Sequence, residues 1–365
     1  MSGVPVATVG SPGAVADVLA PPGAPPGRKA PGSTSPGRRL FVRASVVVGL
    51  AVPLVCARAF GEYGNTVIVQ AMIFMVAVAG LHVLVQWTGQ ISLAQAALMG
   101  VGAFVTALAN ANFSVPLPLA MLLGVLGAVV ASLAIGLPAL RIRGLSLAII
   151  TLAFSFAASR WLFLQTWLVP QASGIPLADH TLFGFDIAQS KQLVIPVGLL
   201  TLAVIALSAR LGTSATGRAL RMVAHDEQVA AASGISVPSH KLFAFVFSGA
   251  CAGLAGAFTV MSIGRVGAGS FDVSKSLLLL SAVLLGGPGP LLGPLQAAAT
   301  FAAFPIVLRS IGRYIGLIGP LSILLVVVVS PAGLNGLAHH FESAVFGLGH
   351  QRRPPPEPLS AQGGS

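Results

Sequence analysis

Charge is scarce in this sequence. Only 8% of its 365 residues are Asp, Glu, Lys or Arg, against about 25% in an ordinary soluble domain, too little to coat a water-soluble surface. Acid is scarcer still: 9 Asp and Glu stand against 20 Lys and Arg, and none of the nine lies clearly within an apolar run. Proton or sodium relays need ionisable side chains buried in membrane spans, so ion-driven transport has no support. Cysteine is limited to Cys56 and Cys251, both inside apolar runs, where they read as small buried hydrophobes rather than a disulfide. A nucleotide-phosphate loop is missing: Gly286-Gly287-Pro288-Gly289-Pro290 has the glycines but neither the lysine nor the hydroxyl that would hold phosphate and magnesium. There is no H-E-x-x-H, no G-x-S-x-G and no Cys/His set with metal spacing. The pair His339-His340 is adjacent rather than helically spaced and reads as solvated. The chain therefore reads as no enzyme, without cofactor or metal. Either a partner supplies its energy or it is a passive channel.

What the sequence has in abundance is apolar length. Hydrophobic residues make up 55% of it, and they fall in runs at 40–60, 65–86, 91–110, 116–137, 145–168, 192–210, 241–263, 275–287, 291–310 and 314–331. A helix needs about 20 such residues to cross a bilayer. The run at 275–287 is short and stops at a Gly-Pro cluster, which suggests a re-entrant or broken helix. The expected fold is an all-α polytopic transmembrane bundle of eight to ten spans. The 43 glycines and 26 prolines are tolerable there, because small residues let membrane helices approach closely and neighbours satisfy freed backbone groups.

Residues 1–39 are rich in Pro, Gly, Ser and Ala without a periodic apolar face and read as a disordered leader. Residues 40–338 form the expected membrane domain, and 339–365 a disordered tail. The net charge of +11 is spread over loops with no aromatic-studded basic face, so nucleic acid is not the expected partner. Positive residues favour the cytoplasmic side of a membrane. Arg28, Lys29, Arg38 and Arg39 before the first run and Arg43 at its start, Arg141 and Arg143, Arg218 and Arg221, and Arg352 and Arg353 all fall on one side when the segments are counted. Both termini are then cytoplasmic. Arg265, Lys275, Arg309 and Arg313 land on the other side and disagree.

Two places interrupt the apolar pattern in a way that suggests function. Thr88-Gly89-Gln90-Ile91-Ser92, with Gln95 beyond it, is a polar break before a small-residue helix. Unwound backbone at membrane depth must be buried in protein or line a wet cavity, so Thr88, Gly89, Gln90, Ser92 and Gln95 are candidate pathway residues. The bland reading is a connecting turn whose polar side chains cap the next helix. A weak echo of this break begins at Gly289. The second place is the hydrophilic stretch at about 211–240, where Asp226 to Gly234 is alanine-rich between charges and predicts a short helix stopped by Gly234. Such a helix is what a cytoplasmic motor would grip; otherwise it is a solvated connector.

Here the sequence resembles a family. Gln228-Val229-Ala230-Ala231-Ala232-Ser233-Gly234 is similar to the E-A-A-x-x-x-G coupling helix of bacterial ABC importer permeases, with glutamine in the glutamate position and Glu227 one place early. Four blocks resemble the LivM-type permease of branched-chain amino-acid ABC importers. They are Gly80 to Leu84 with Thr88 to Leu93, Leu140 to Phe154, Gly217 to Gly234 with Lys241 to Phe245, and Ser248 to Ala257 with Gly286 to Gly289. The family often has Gly-His where Ala94-Gln95 stand, asparagine at His82, tyrosine at Ser146 and glycine at Ser155, so pathway polarity can differ.

The resemblance implies import of leucine, isoleucine and valine, or of a related amino acid or amide. It also implies a second, LivH-like permease, two cytoplasmic ATPase subunits, an extracytoplasmic solute-binding protein and surrounding membrane lipid in the cytoplasmic membrane. ATPase contact is implied for Gly217, Arg218, Arg221, Glu227, Ala230, Ala231 and Gly234, with Arg141, Arg143, Gly286, Gly287 and Gly289 as secondary candidates. Arg141 and Arg143 read equally as anchors on anionic lipid. The rival from another class is a stand-alone channel for small polar solutes such as urea.

Overall fold

The computed structural model describes residues 62–140, 145–165, 174–178, 181–182, 185–186 and 190–286. Along the chain these form α1 (Glu62–Thr88), α2 (Gln95–Phe113), α3 (Leu117–Ala139), α4 (Leu145–Arg160), β1 (Ile175–Pro176), β2 (Thr181–Leu182), β3 (Phe185–Asp186), α5 (Ser190–Thr213), α6 (Ala215–His225), α7 (Glu227–Ala232), α8 (Val237–Ile263), β4 (Arg265–Val266) and α9 (Val273–Gly286). Six helices among the described residues are long and apolar enough to cross a membrane: α1, α2, α3, α4 with the turn that follows it, α5 and α8. They coincide with the runs expected from 65–86 to 241–263. The runs at 40–60, 291–310 and 314–331, the leader and the tail lie outside the described residues.

The punctuation between helices follows backbone preferences. Ser114 turns the chain in the left-handed region (φ 50°) before Pro116 and Pro118 start α3. Pro238 opens α8, where a missing N–H costs nothing, and Gly264 (φ 76°) closes it. Four two-residue strands qualify the all-α expectation. Ile175 and Pro176 pair with Val266 and Arg265, and β2 pairs with β3. These ladders give extended connections the backbone partners that a helix would supply internally.

The core is organised around α8, which packs against α1, α2 and α3. Its small residues permit this. A side-chain carbon on Gly253 would lie 2.7 Å from Ala128 Cβ of α3, one on Gly102 of α2 would lie 2.5 Å from Gly253 Cα, and one on Gly256 would collide with the Met99 carbonyl of α2. Between helices in lipid, close packing and hydrogen bonds replace the hydrophobic drive. The Ala252 to Ala257 ridge is accordingly a packing face. Outward, α3 presents Leu119, Leu122, Leu126 and Val130, and α5 presents Ile195, Leu199 and Leu207, the apolar exterior expected of a chain solvated by lipid.

Successive long helices alternate in direction, so one end of the bundle collects the close of α1, α5 and α3, the start of α8, and the short helices α6 and α7. The opposite end carries β1 and β4, where Leu177 N–H donates to Gly264 O at 3.0 Å and Ala178 N–H to Asn110 Oδ1 at 2.9 Å.

Candidate functional site

The polar break is real, and it is re-entrant. Residues 89–94 are neither helix nor strand, and Gly89 turns the chain at φ 69°. The Gln95 amide then donates to Ala77 O at 2.9 Å. Ala77 precedes Thr88 by eleven residues, about 16 Å of helix at 1.5 Å per residue. Six extended residues reach up to about 20 Å. The segment therefore climbs back along α1, and α2 begins beside the middle of α1 rather than at its end.

Backbone at that depth has lost its helical partners, and hydroxyls from other helices replace them. Leu93 N–H donates to Thr151 Oγ1 at 2.9 Å, and Leu93 O accepts from Ser155 Oγ at 2.5 Å, both from α4. Ala96 N–H donates to Ser276 Oγ of α9 at 3.0 Å. The break's own side chains do little capping: α2 has no side-chain cap at Ala94, and Ser92 Oγ reaches Ala94 N–H only at 3.4 Å. That geometry disfavours the reading of the break as a simple capping turn.

The five candidate pathway residues have different fates. Gln90 and Ser92 are buried, while Gly89 and Ile91 between and beside them reach the surface, as alternation along an extended chain requires. Thr88 Oγ1 donates to Leu84 O at 2.5 Å. Gln95 is spent on structure: its amide also accepts from Ser248 Oγ at 3.0 Å, which ties α2 to both α1 and α8.

The short helix α9 is broken in a matching sense. After β4 and a single 3₁₀ turn at Ala268–Ser270, Phe271 reaches the side of Gly100, and Ser276 meets the start of α2. Gln86 then donates to Val283 O at 3.3 Å. So α9 runs from mid-bundle to the α6 end, which accounts for the shortness of the run at 275–287.

At that end, 211–240 is built as helices joined by single residues. Ser214 separates α5 from α6 and caps it by accepting from Gly217 N–H at 3.1 Å. A side chain on Gly217 would collide with Leu211 O, so this position serves the tight turn. Arg218 and Arg221 donate to Thr213 O at 3.0 Å and Gly212 O at 2.8 Å, at the carbonyl end of α5. Asp226, extended at φ −157°, caps α7 by accepting from Gln228 and Val229 N–H at 2.7 and 3.2 Å. Glu227 pairs with Lys241 of α8 at 2.6 Å, with the lysine side chain only 4% exposed. Ala230 is buried, Val229 and Ala231 are exposed, and Gly234 (φ 79°) ends the helix as expected.

Packing joins the two places. Arg221 lies over the Trp87 ring at 5.6 Å, and a side-chain carbon on Gly89 would meet Ala224 at 3.8 Å. Thus α6 rests directly on the point where α1 gives way to the break.

With that geometry in place, comparison with known proteins is informative. Residues 65–330 match the family described as the branched-chain amino acid transport system / permease component. The chain belongs to that family. It is 28% identical over 321 residues to the "High-affinity branched-chain amino acid transport system permease protein LivM" of Salmonella typhimurium, covering 81% of this chain and 75% of the relative. It is 27% identical, over the same shares, to the protein of that name from Escherichia coli. No solved structure matches. Family membership and the apolar helices make this an integral membrane protein of transport.

Within this family member, sequence reasoning missed Thr151, Ser155 and Ser276 as holders of the break. Thr151 and Ser155 are four apart in an apolar helix, one face of which thus carries two hydroxyls, a usable signal for interhelical bonding. It also missed Trp87, an apolar residue whose contact with Arg221 spans 134 positions of sequence. Arg141, Arg143, Gly287 and Gly289 lie outside the described residues, and Gly286 is the last residue of α9.

Proposed function

We propose that this chain is the transmembrane permease subunit of an ATP-binding-cassette importer that carries branched-chain amino acids, or a closely related amino acid, across the cytoplasmic membrane. Separate ATPase subunits drive it, a second permease completes the pathway, and an extracytoplasmic binding protein delivers solute. The branched-chain amino acid transport for which the two LivM relatives are named supports the substrate class. The coupling of α7 supports the rest and is the observation on which the reading rests. An exposed helix capped by Asp226, tied to α8 through Glu227–Lys241 and joined to α6 by a single residue is a rigid handle. A motor can push such a handle without the movement being lost in a loop.

Orientation follows from the same end of the bundle. Placing α6 and α7 in the cytoplasm puts the ends of α1, α3 and α5 there too, in agreement with the positive residues counted above and with cytoplasmic termini in a bundle of eight to ten spans. Lys275 ceases to disagree, because it lies in the first turn of α9, next to the Ser276 that holds α2, and not in a loop.

The test is co-purification of the tagged chain with its ATPase subunits from membranes. Ala231→Arg, on the exposed face of α7, should leave the permease folded and in the membrane but abolish retention of the ATPase. Retention unchanged by Ala231→Arg would refute α7 as the handle. Uptake that persists with no ATPase present would favour a stand-alone channel.

A further inference from the structure

We infer that the corner where α6 packs on Trp87 and beside Gly89, next to the buried Gln90, is a gate, opened from the α7 side, with Arg221 on Trp87 as its latch. This rests on the importer reading above. The first observation is electrostatic. Among the described residues, His82 Nδ1 and Nε2, Trp87 Nε1 and Gln90 Oε1 are buried without hydrogen-bond partners, and they fall within nine positions of one another. His82 and Trp87 meet edge to face at 6.0 Å, and Gln90 N–H folds back on Leu84 O at 3.4 Å. Elsewhere along the break the polar groups are well provided: Thr151 and Ser155 bond to Leu93, Ser248 to Gln95 and Ser276 to Ala96.

Buried polar groups that have given up water without a replacement raise the free energy of the state that buries them. A corner that collects several is destabilised when closed, and opening it to water restores what they lost. Asn65 and Thr201 are orphaned elsewhere in the bundle, but His82, Trp87 and Gln90 fall together where α1 gives way to the break, and this set marks the place where a second, hydrated arrangement is favoured.

The second observation is mechanical. What closes the corner is one short helix, α6, hung between the single-residue joints Ser214 and Asp226. It touches the break through Ala224 at Gly89 and holds α1 through the Arg221 guanidinium over the Trp87 ring. Movement of α7 is transmitted through Asp226 to α6, and lifting α6 separates both contacts together. Arg221 and Trp87 are positioning residues: neither needs to touch solute.

Thiol accessibility in the assembled transporter reads this directly. With Cys56 and Cys251 replaced by alanine and Gln90→Cys introduced, inside-out vesicles are treated with a membrane-impermeant maleimide, nucleotide-free and with a non-hydrolysable ATP analogue. Labelling at position 90 should differ at least about tenfold between the two states, a shift of about 1.4 kcal/mol in the open–closed balance. Equal labelling in a transporter whose ATP-driven uptake is intact overturns the gate. In parallel, Arg221→Ala and Trp87→Ala should each lower uptake at least about tenfold, with ATP hydrolysis retained in Trp87→Ala, and Arg221→Lys and Trp87→Phe should recover most of the uptake. Uptake unchanged in both alanine variants removes the latch. If an alanine variant fails to accumulate, the labelling of position 90 with the latch intact decides. Failure of the unmodified transporter to respond to ATP at all would instead defeat the importer reading, a result distinct from equal labelling.

Discussion

Gln95 shows how one side chain can set the depth of a helix. Its amide donates to Ala77 O and accepts from Ser248 Oγ with only 1% of the residue exposed, so it fixes where α2 starts. Interhelical hydrogen bonds in membranes contribute roughly 0.6–2 kcal/mol. Gln95→Leu should therefore lower the stability of the detergent-solubilised protein by about 1–2 kcal/mol in denaturant titration, and Ser248→Ala by less, because the bond to Ala77 survives. The ion pair Glu227–Lys241 behaves differently. Glu227→Ala leaves a buried ammonium without its partner, at a cost of about 1–3 kcal/mol, whereas Glu227→Ala with Lys241→Met should recover most of the loss. Additive losses in that double variant would show that the pair is not what holds α7 to α8.

At the scale of elements, the decisive feature is how closely α8 approaches its neighbours. Gly256 lies against the backbone of Met99, so a side chain there must displace a helix rather than a rotamer. Gly256→Val should cost about 1–3 kcal/mol or more and reduce the folded yield in membranes; a variant as stable as the parent would contradict this packing. Helix α7 depends on its cap, and Asp226→Ala should weaken it by about 1 kcal/mol, seen as faster amide exchange over 227–232. Much of this was legible in sequence. The apolar run at 116–137 became α3 because no charged residue interrupts it, and Gly234 stopped α7 because only glycine accepts φ 79° readily. The start of α2 was not legible. The run from Ile91 looks continuous, and its first four residues are held out of helix by Thr151 and Ser155, which lie about 60 positions away. Lys241 was equally hidden, since a lysine at the edge of a hydrophilic stretch gives no sign that it will be buried against Glu227.

For the whole molecule, the described residues form a bundle, a break at mid-depth and an exposed helix α7 joined to the α6 that packs on that break; the sequence carries no phosphate loop, and no acid is fully buried among the described residues. The family assignment accounts for this combination, and so does the placement of α6 between α7 and Gly89. The most direct test is uptake of labelled leucine, isoleucine and valine by proteoliposomes containing this chain, its sister permease, the ATPase pair and the binding protein. The account predicts accumulation only with ATP and only when the ATPases are present, with Ala231→Arg reducing it to background. Equal uptake by liposomes lacking the ATPase pair would contradict it.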